Sequence, residues 1–467
     1  MSFDDLTLLS AEELSSMILK RELSPVEITQ AYLNRIDKYK HLNAYITVDY
    51  DGALSAAKNA EHELSHGLIK GPLHGLPIAV KDQFEVKGMR TTLGGNIVDR
   101  VAKEDATAIR RLRDGGAIFL GKLNLSEYAL GGNIQHPFGV PKNPWDITRQ
   151  AGQSSSGSAV AVSASLCAAA LGGDTAGSIR GPAAWCGIVG LRPTWGAVSR
   201  HGAFPMAWFM DTIGPMTKTV MDTAMIYSII AGNDPKDIYT SKRPVIPFDE
   251  TGSVKGLRIG IVRESIDNGM ASDEVIPLFN DAMEVLKDAG IIIEDASLPL
   301  FESGGLIANT LSDVEAAHTH RHWLRTRPED YDFATRRRLF AASLISGATY
   351  TKLSRFRVLM YRDVMSALDR FDAIITPAQA AGAPLIANET NLTSKEAVIS
   401  QFFGLRSHRS PFNLSGVPAI AIPCGFTQAG LPVSIQVAAR PFSENVLFQL
   451  GKEFQRLTNW HLSRPNM

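Results

Sequence analysis

Between Ala151 and Thr194 the chain carries two Ser/Gly clusters, Gly152-Gln153-Ser154-Ser155-Ser156-Gly157-Ser158 and Asp174-Thr175-Ala176-Gly177-Ser178, joined by a run made almost wholly of Ala, Val, Ser, Leu and Gly. No other stretch restricts the fold as much. Small side chains let backbones approach closely, and glycine opens backbone conformations closed to other residues. A Ser/Gly-rich stretch by itself reads as a flexible linker. The Ala, Val and Leu content argues against that here, because a solvated linker would not carry so much apolar side chain. The expected structure is a buried small-residue helix framed by two tight, hydroxyl-bearing turns.

The stretch resembles the signature of the amidase signature family, whose usual form is GGSSGGS followed by a GTDTGGSIR-type turn. A third segment, Gly75-Leu76-Pro77-Ile78-Ala79-Val80-Lys81-Asp82, resembles that family's strand-end motif G-[IL]-P-I-[AG]-[VI]-K-D. Matched residue by residue, the resemblance implies a lysine base at Lys81. It implies a serine preceded by a cis peptide bond at Ser154, and a nucleophilic serine at Ser178, 24 residues further on. It also implies an oxyanion hole built from the backbone N–H groups of Thr175, Ala176, Gly177 and Ser178. Gln153, Ser156 and Ala176 stand where the family usually has glycine, which points to a specialised substrate.

The resemblance runs from about Ser24 to the C-terminus. It implies an α/β fold, a central mixed β-sheet flanked on both faces by helices. The expected organisation is a single amidase domain over 1–467: an N-terminal helical segment at 1–66, a catalytic signature core at 70–220, and the remainder of the same unit, including substrate-pocket elements, at 221–467. No metal and no organic cofactor is implied.

Composition agrees with a large soluble unit. The chain has 467 residues, of which 45% are hydrophobic and 20% charged, with a formal net charge of −1. Near-neutrality argues against a nucleic-acid or anionic-membrane partner. Three scattered cysteines, Cys167, Cys186 and Cys424, make no disulfide framework and read as buried small hydrophobes. The first residues lack the basic-then-apolar pattern of a signal peptide, and no apolar run reaches the length of a membrane span. The expectation is a cytoplasmic protein, monomer or homodimer, acting on a small-molecule amide.

Elements follow from periodicity and punctuation. Helices are expected from Ala11, from Pro25 after an N-cap at Ser24, at 51–66, 105–114, 275–289, within 333–370, and at 443–456. Strands are expected at 76–80, 116–121, 257–262, 291–293, 372–377, 418–424 and 432–437. The sequence His318-Thr319-His320-Arg321-His322 places two histidines one helical turn apart, a spacing that can bind a metal. No HExxH pattern or cysteine partner accompanies it, so a solvated helix is the better reading.

The chemistry implied by the resemblance is physically sound. A serine is a poor nucleophile until a base takes its proton. Lysine is normally protonated, but burial disfavours the charged form. A neutral Lys81 can accept a proton from Ser154, which accepts one from Ser178. The segment Pro205 to Pro215 resembles the family's loop ending in S-L-D-x-[IV]-G-P, but with Trp208, Phe209 and Met210 where small polar residues are usual. With Gln153 these are the candidate substrate-binding residues, and they suggest an apolar pocket for hydrophobic or aryl amides.

Two other activities fit the same signature. One is hydrolysis of carbamates (urethanes) or urea-type compounds by the same acyl chemistry. The other is the glutaminase subunit of a tRNA-dependent amidotransferase. That subunit resembles this chain at Asn413-Leu414-Ser415-Gly416, but it places an aspartate seven residues earlier to hold the glutamine amine, where this chain has Arg406. A cation there would repel that amine, which disfavours the reading. Lys81, Ser154 and Ser178 together disfavour a binding protein without catalysis.

Overall fold

Short apolar runs bounded by glycine and proline become the strands of one mixed sheet. The computed structural model describes residues 3–131, 136–387 and 407–467. In chain order the sheet strands are β1 (Tyr45–Val48), β2 (Pro77–Lys81), β3 (Ile118–Leu123), β4 (Ala169–Asp174), β5 (Val189–Arg192), β6 (Thr212–Thr217), β7 (Arg258–Val262), β8 (Ile292–Ala296), β9 (Ala373–Pro377), β10 (Ala419–Phe426) and β11 (Pro432–Ala439). Across the sheet their order is β1-β3-β2-β4-β6-β5-β10-β11-β9-β7-β8. β2 runs parallel to both β3 and β4, and β7 runs parallel to β8 and β9. Antiparallel pairs join the two parallel ends through β6, β5, β10 and β11. This is the α/β architecture expected, a mixed central sheet with helices packed on it. The central strands are buried along their whole length, so they read as continuous apolar runs rather than alternating ones.

The N-terminal helices start where the capping signals stand. Ser10 and Ser24 each accept from the residue three on, Glu13 and Glu27, whose carboxylates reach back to the cap N–H. Each such cap contributes about 1 kcal/mol. Helix Pro25–Lys38 buries Ile28, Tyr32, Leu33 and Ile36 along one side, and Arg35 Nε donates to the Ala164 carbonyl at 2.9 Å. The helix expected at 51–66 is Tyr50–Ser65, and a short helix at Phe3–Leu8 precedes the expected ones.

The run between the Ser/Gly clusters departs from expectation. Only Ser156–Ser163 is helix; Ala169–Asp174 is β4, inside the sheet between β2 and β6, and the next helix is Arg180–Cys186. The chain breaks between helix and strand at Ser165, whose φ is +56°. An unbroken apolar run has no period to separate helix from strand, and sheet pairing decides it. Gly172 is crowded from several sides, a Cβ there standing 2.8 Å from Met216 Sδ and 2.9 Å from Ser155 Oγ, whereas one on Gly173 would meet the movable end of Gln83 at 2.7 Å. Among the described residues no helix is long and apolar enough to cross a membrane.

Candidate active site

β2 and β4 are parallel neighbours, with Val80 opposite Leu171, so their carboxyl ends open on the same edge of the sheet. Ligand sites of α/β sheets lie at such edges. Lys81 is the last residue of β2, and β4 ends at Asp174 and runs into the Thr175–Ser178 turn. The Lys81 side chain is fully buried, and its Nζ donates to Ser154 Oγ at 2.8 Å. The Gln153–Ser154 peptide bond is cis. The backbone N–H of Ser155 donates to the Ser178 carbonyl at 3.2 Å, which ties the two Ser/Gly clusters together. Lys81, Ser154 and Ser178 are thus brought to one place, with Lys81 and Ser154 buried and Ser178 partly open. Burial pushes the Lys81 amine down to about 7, although Asp174 and Asp211 pull it upward.

The turn bearing Ser178 is held from behind by Asp174. Its carboxylate accepts from the N–H groups of Gly177 (2.9 Å) and Ile179 (3.1 Å), from Arg180 Nε and Nη2 (3.1 Å each), and from Asn413 Nδ2 (2.6 Å). Burial alone would raise this carboxyl, but Arg180 and Arg192 hold it well below the usual range. The expected set of four oxyanion donors is therefore corrected. Gly177 spends its N–H on Asp174, which leaves those of Thr175, Ala176 and Ser178. The positive φ of the turn falls on Gly177 (+110°) and not on Ala176, so an alanine at 176 is accommodated. Thr175 Oγ1 donates to Asp211 at 2.6 Å, which links the turn to the segment before β6.

Sequence reasoning missed this network. Its members, Asp174, Arg180, Arg192, Asn413 and Gln436, lie far apart in the chain, and only Asp174 and Arg180 carried a signal, inside the motif itself. Asn413, the first residue of the glutaminase-like motif, braces Asp174. A second missed pair is Asp82 and Lys122, buried beside Lys81 and joined at 2.7 Å. Asp82 Oδ2 accepts from the Thr92 and Leu93 N–H groups at 2.8 and 2.9 Å. Asp174→Asn is expected to destabilise the protein by about 3–5 kcal/mol, because it leaves two buried guanidiniums uncompensated. A urea midpoint equal to that of the unaltered protein would refute this.

The candidate substrate residues separate. Met210 is buried in the core, the usual fate of an apolar residue. Phe209 is partly exposed but packs against Trp195 and Tyr239, with the Arg357 guanidinium 5.3 Å from its ring centroid. Phe209 and Met210 thus do not join Trp208 in one wall. Trp208 lines a cavity of about 230 Å³ together with Phe84, Phe204 and Ile213 and with the charged Arg200, Asp211 and Asp237. The cavity extends along β4 to Thr175, and Ser178 is not in its lining. Arg200, paired with Asp237 at 2.9 Å, stacks on Trp208 with 5.0 Å to the ring centroid and fixes the indole. Gln153 is exposed beside the site. Arg406 lies outside the described residues, so the discrimination against glutamine expected from it has no structural account.

The histidines at 318, 320 and 322 lie on helix Gly304–Thr326. The buried one is His320, whose Nδ1 pairs with the Tyr331 hydroxyl at 2.8 Å, while His318 and His322 face outward. Among the described residues no group of three metal-binding side chains gathers.

A family model described as Amidase matches residues 27–448. The chain belongs to the amidase signature family. Within that family it is similar to a glutamyl-tRNA(Gln) amidotransferase subunit of Moorella thermoacetica, at 35% identity with 99% of each chain covered. Among solved structures of the family it is similar to a chain of a vestigial protein complex that bears on the evolutionary origins of an s-triazine catabolic enzyme. That match has a TM-score of 0.88 and 29% identity, and covers 98% of this chain and 100% of the other. It is also similar to the peptide amidase of Stenotrophomonas maltophilia, with a TM-score of 0.85, 28% identity and 98% of each chain covered. As an amidase signature enzyme the protein acts on C–N bonds.

Proposed function

We propose that the protein hydrolyses a carboxamide C–N bond through an acyl-enzyme on Ser178. The observation that carries this reading is the buried Lys81 amine, at about 7, in hydrogen-bond contact with Ser154. A neutral Lys81 accepts the Ser154 proton as Ser154 accepts that of Ser178. The Ser178 oxygen attacks the carbonyl, and the N–H groups of Thr175, Ala176 and Ser178 are the candidates to receive the oxyanion. The proton returns through Ser154 to the leaving nitrogen, and water then releases the acid by the same route. A panel of anilides, primary amides, esters and carbamates, run on the protein alone, tests the reading. Turnover of none of them would refute it, and faster turnover of carbamates would make the protein a urethanase.

A second reading, the glutaminase part of an amidotransferase, is favoured by the names of the relatives at about a third identity. It predicts glutamine as the best substrate, with activity that depends on an added partner.

The substrate preference proposed for the hydrolase is for hydrophobic or aryl amides, with Trp208 as the apolar wall. Each buried methylene contributes about 0.8 kcal/mol. Trp208→Ala is therefore expected to lower kcat/KM for an anilide roughly ten- to a hundredfold, and to affect acetamide by less than about threefold. Equal losses on both substrates would remove Trp208 from the substrate site.

A further inference from the structure

Arg409 lies against the turn that bears Ser178. A Cβ placed on Gly177 would stand 2.7 Å from both Cβ and Nε of Arg409, and one on Gly181 would stand 3.1 Å from Nε and 3.2 Å from Cζ. The guanidinium therefore covers the backbone on both sides of Ser178, where only glycine leaves room for it. Its Nη1 donates to the Ala378 carbonyl at 2.6 Å. Its Nε is buried and without a hydrogen-bond partner, although the residue as a whole keeps part of its surface open. Among the described residues no carboxylate forms an ion pair with it.

Arg180, Arg192 and Arg409 all lie around Asp174, which is spent on Arg180, Asn413 and two N–H groups. Arg192 also has unpartnered nitrogens, Nε and Nη2, but it is fully buried. Arg409 alone of the three combines an unsatisfied, buried donor with a side chain that keeps part of its surface open and lies against Gly177 and Gly181, on either side of Ser178. A buried cation without a counter-charge is unfavourable, and the planar guanidinium fork suits a carboxylate.

We propose that Arg409 is the docking group for a carboxylate on the acyl part of the substrate, close to the scissile carbonyl, the hydrophobic or aryl part proposed to meet Trp208 being the amine that leaves. The proposal rests on Ser178 as the nucleophile and adds the class of the acyl group. Arg409 binds and orients that group, and takes no part in proton transfer. The same surplus of positive charge lowers the affinity for substrates with an ammonium group at this position.

The test uses malonate, succinate and glutarate, their half-amides and their diamides. Calorimetric titration of the protein is expected to show one dicarboxylate binding at least roughly tenfold more tightly than its diamide, the range of a charge-assisted hydrogen bond. The matching half-amide is expected to exceed the diamide in kcat/KM by about a hundredfold. Arg409→Met should bring both ratios close to one, and Arg409→Lys should keep part of the binding margin. Diamides that bind and react as well as the acidic compounds in the unaltered protein would overturn the proposal, and that comparison needs no variant to fold. Retention of the acidic preference in Arg409→Met would overturn it as well. If a dicarboxylate binds through Arg409 but no half-amide is hydrolysed, the hydrolase reading fails and the carboxylate site stands. If neutral amides are hydrolysed through Ser178 with no acidic preference, the reverse holds.

Discussion

Ser178→Ala is expected to lower kcat/KM on the order of 10⁴–10⁶-fold toward every amide the protein turns over, while leaving its thermal stability nearly unchanged. The size follows from the role proposed for the hydroxyl. It supplies the bond that carries the acyl group, and water cannot take its place in a turn arranged around the serine oxygen. Unchanged stability follows from the structure. The Ser178 side chain is partly open, and the turn is held by Asp174 through Gly177, Ile179 and Arg180 rather than by the serine. Ser154→Ala should also be severely impaired but should leave more residual activity, because it removes a relay and not the attacking atom. A fluorophosphonate should label Ser178, with the adduct located by peptide mass mapping. An alanine variant with substantial turnover, or an adduct on another serine, would show that the nucleophile lies elsewhere.

The legible parts of the chain were those in which a motif and a local pattern coincide. Lys81 ends an apolar run that can only be a buried strand, and the Ser154 cluster opens a helix of small residues. Most helix and strand positions were legible for the same reason, through caps at Ser10 and Ser24 and through short runs between glycines. The segment from Ser156 to Asp174 was not, because its apolar residues have no period and the sheet neighbours that make β4 a strand come from 77–80 and 212–216. The bracing of the nucleophile turn was illegible on similar grounds. Asn413 and Gln436 approach Arg180 only because β10 and β11 cross the middle of the sheet. Trp208, Phe209 and Met210 are adjacent in sequence yet meet a cavity, an aromatic cluster and the core respectively. Sequence adjacency in an irregular loop carries no information about which way each side chain points.

The second large effect is set by Lys81. As a base the amine works only when neutral, and with its pKa near 7 it gains that form as pH rises through neutrality. The logarithm of kcat/KM is expected to climb about one unit per pH unit below 7 and to level off above about pH 8. The direction follows from the cause: burial disfavours the ammonium form, and the Asp174 and Asp211 charges offset only part of that cost. Stability moves the same way. An unfolded lysine keeps its proton up to about pH 10.4, so between about 7 and 10 the unfolded chain binds more protons than the folded one. The penalty of burying this group is therefore full below pH 7 and fades as pH rises. Lys218, also pushed down to about 7 by burial, donates to the Thr7 and Leu9 carbonyls and not to Ser154, so its titration bears on stability rather than on the proton relay. Lys81→Arg keeps the charge and loses the ability to give it up, and it should fall on the order of 10²–10⁴-fold at every pH. Aminoethylation of Lys81→Cys restores an amine of lower basicity, and should recover activity with the acid limb moved to lower pH. A profile that stays flat through neutrality, or an arginine variant with unaltered turnover, would leave Lys81 as a structural group with no part in proton transfer.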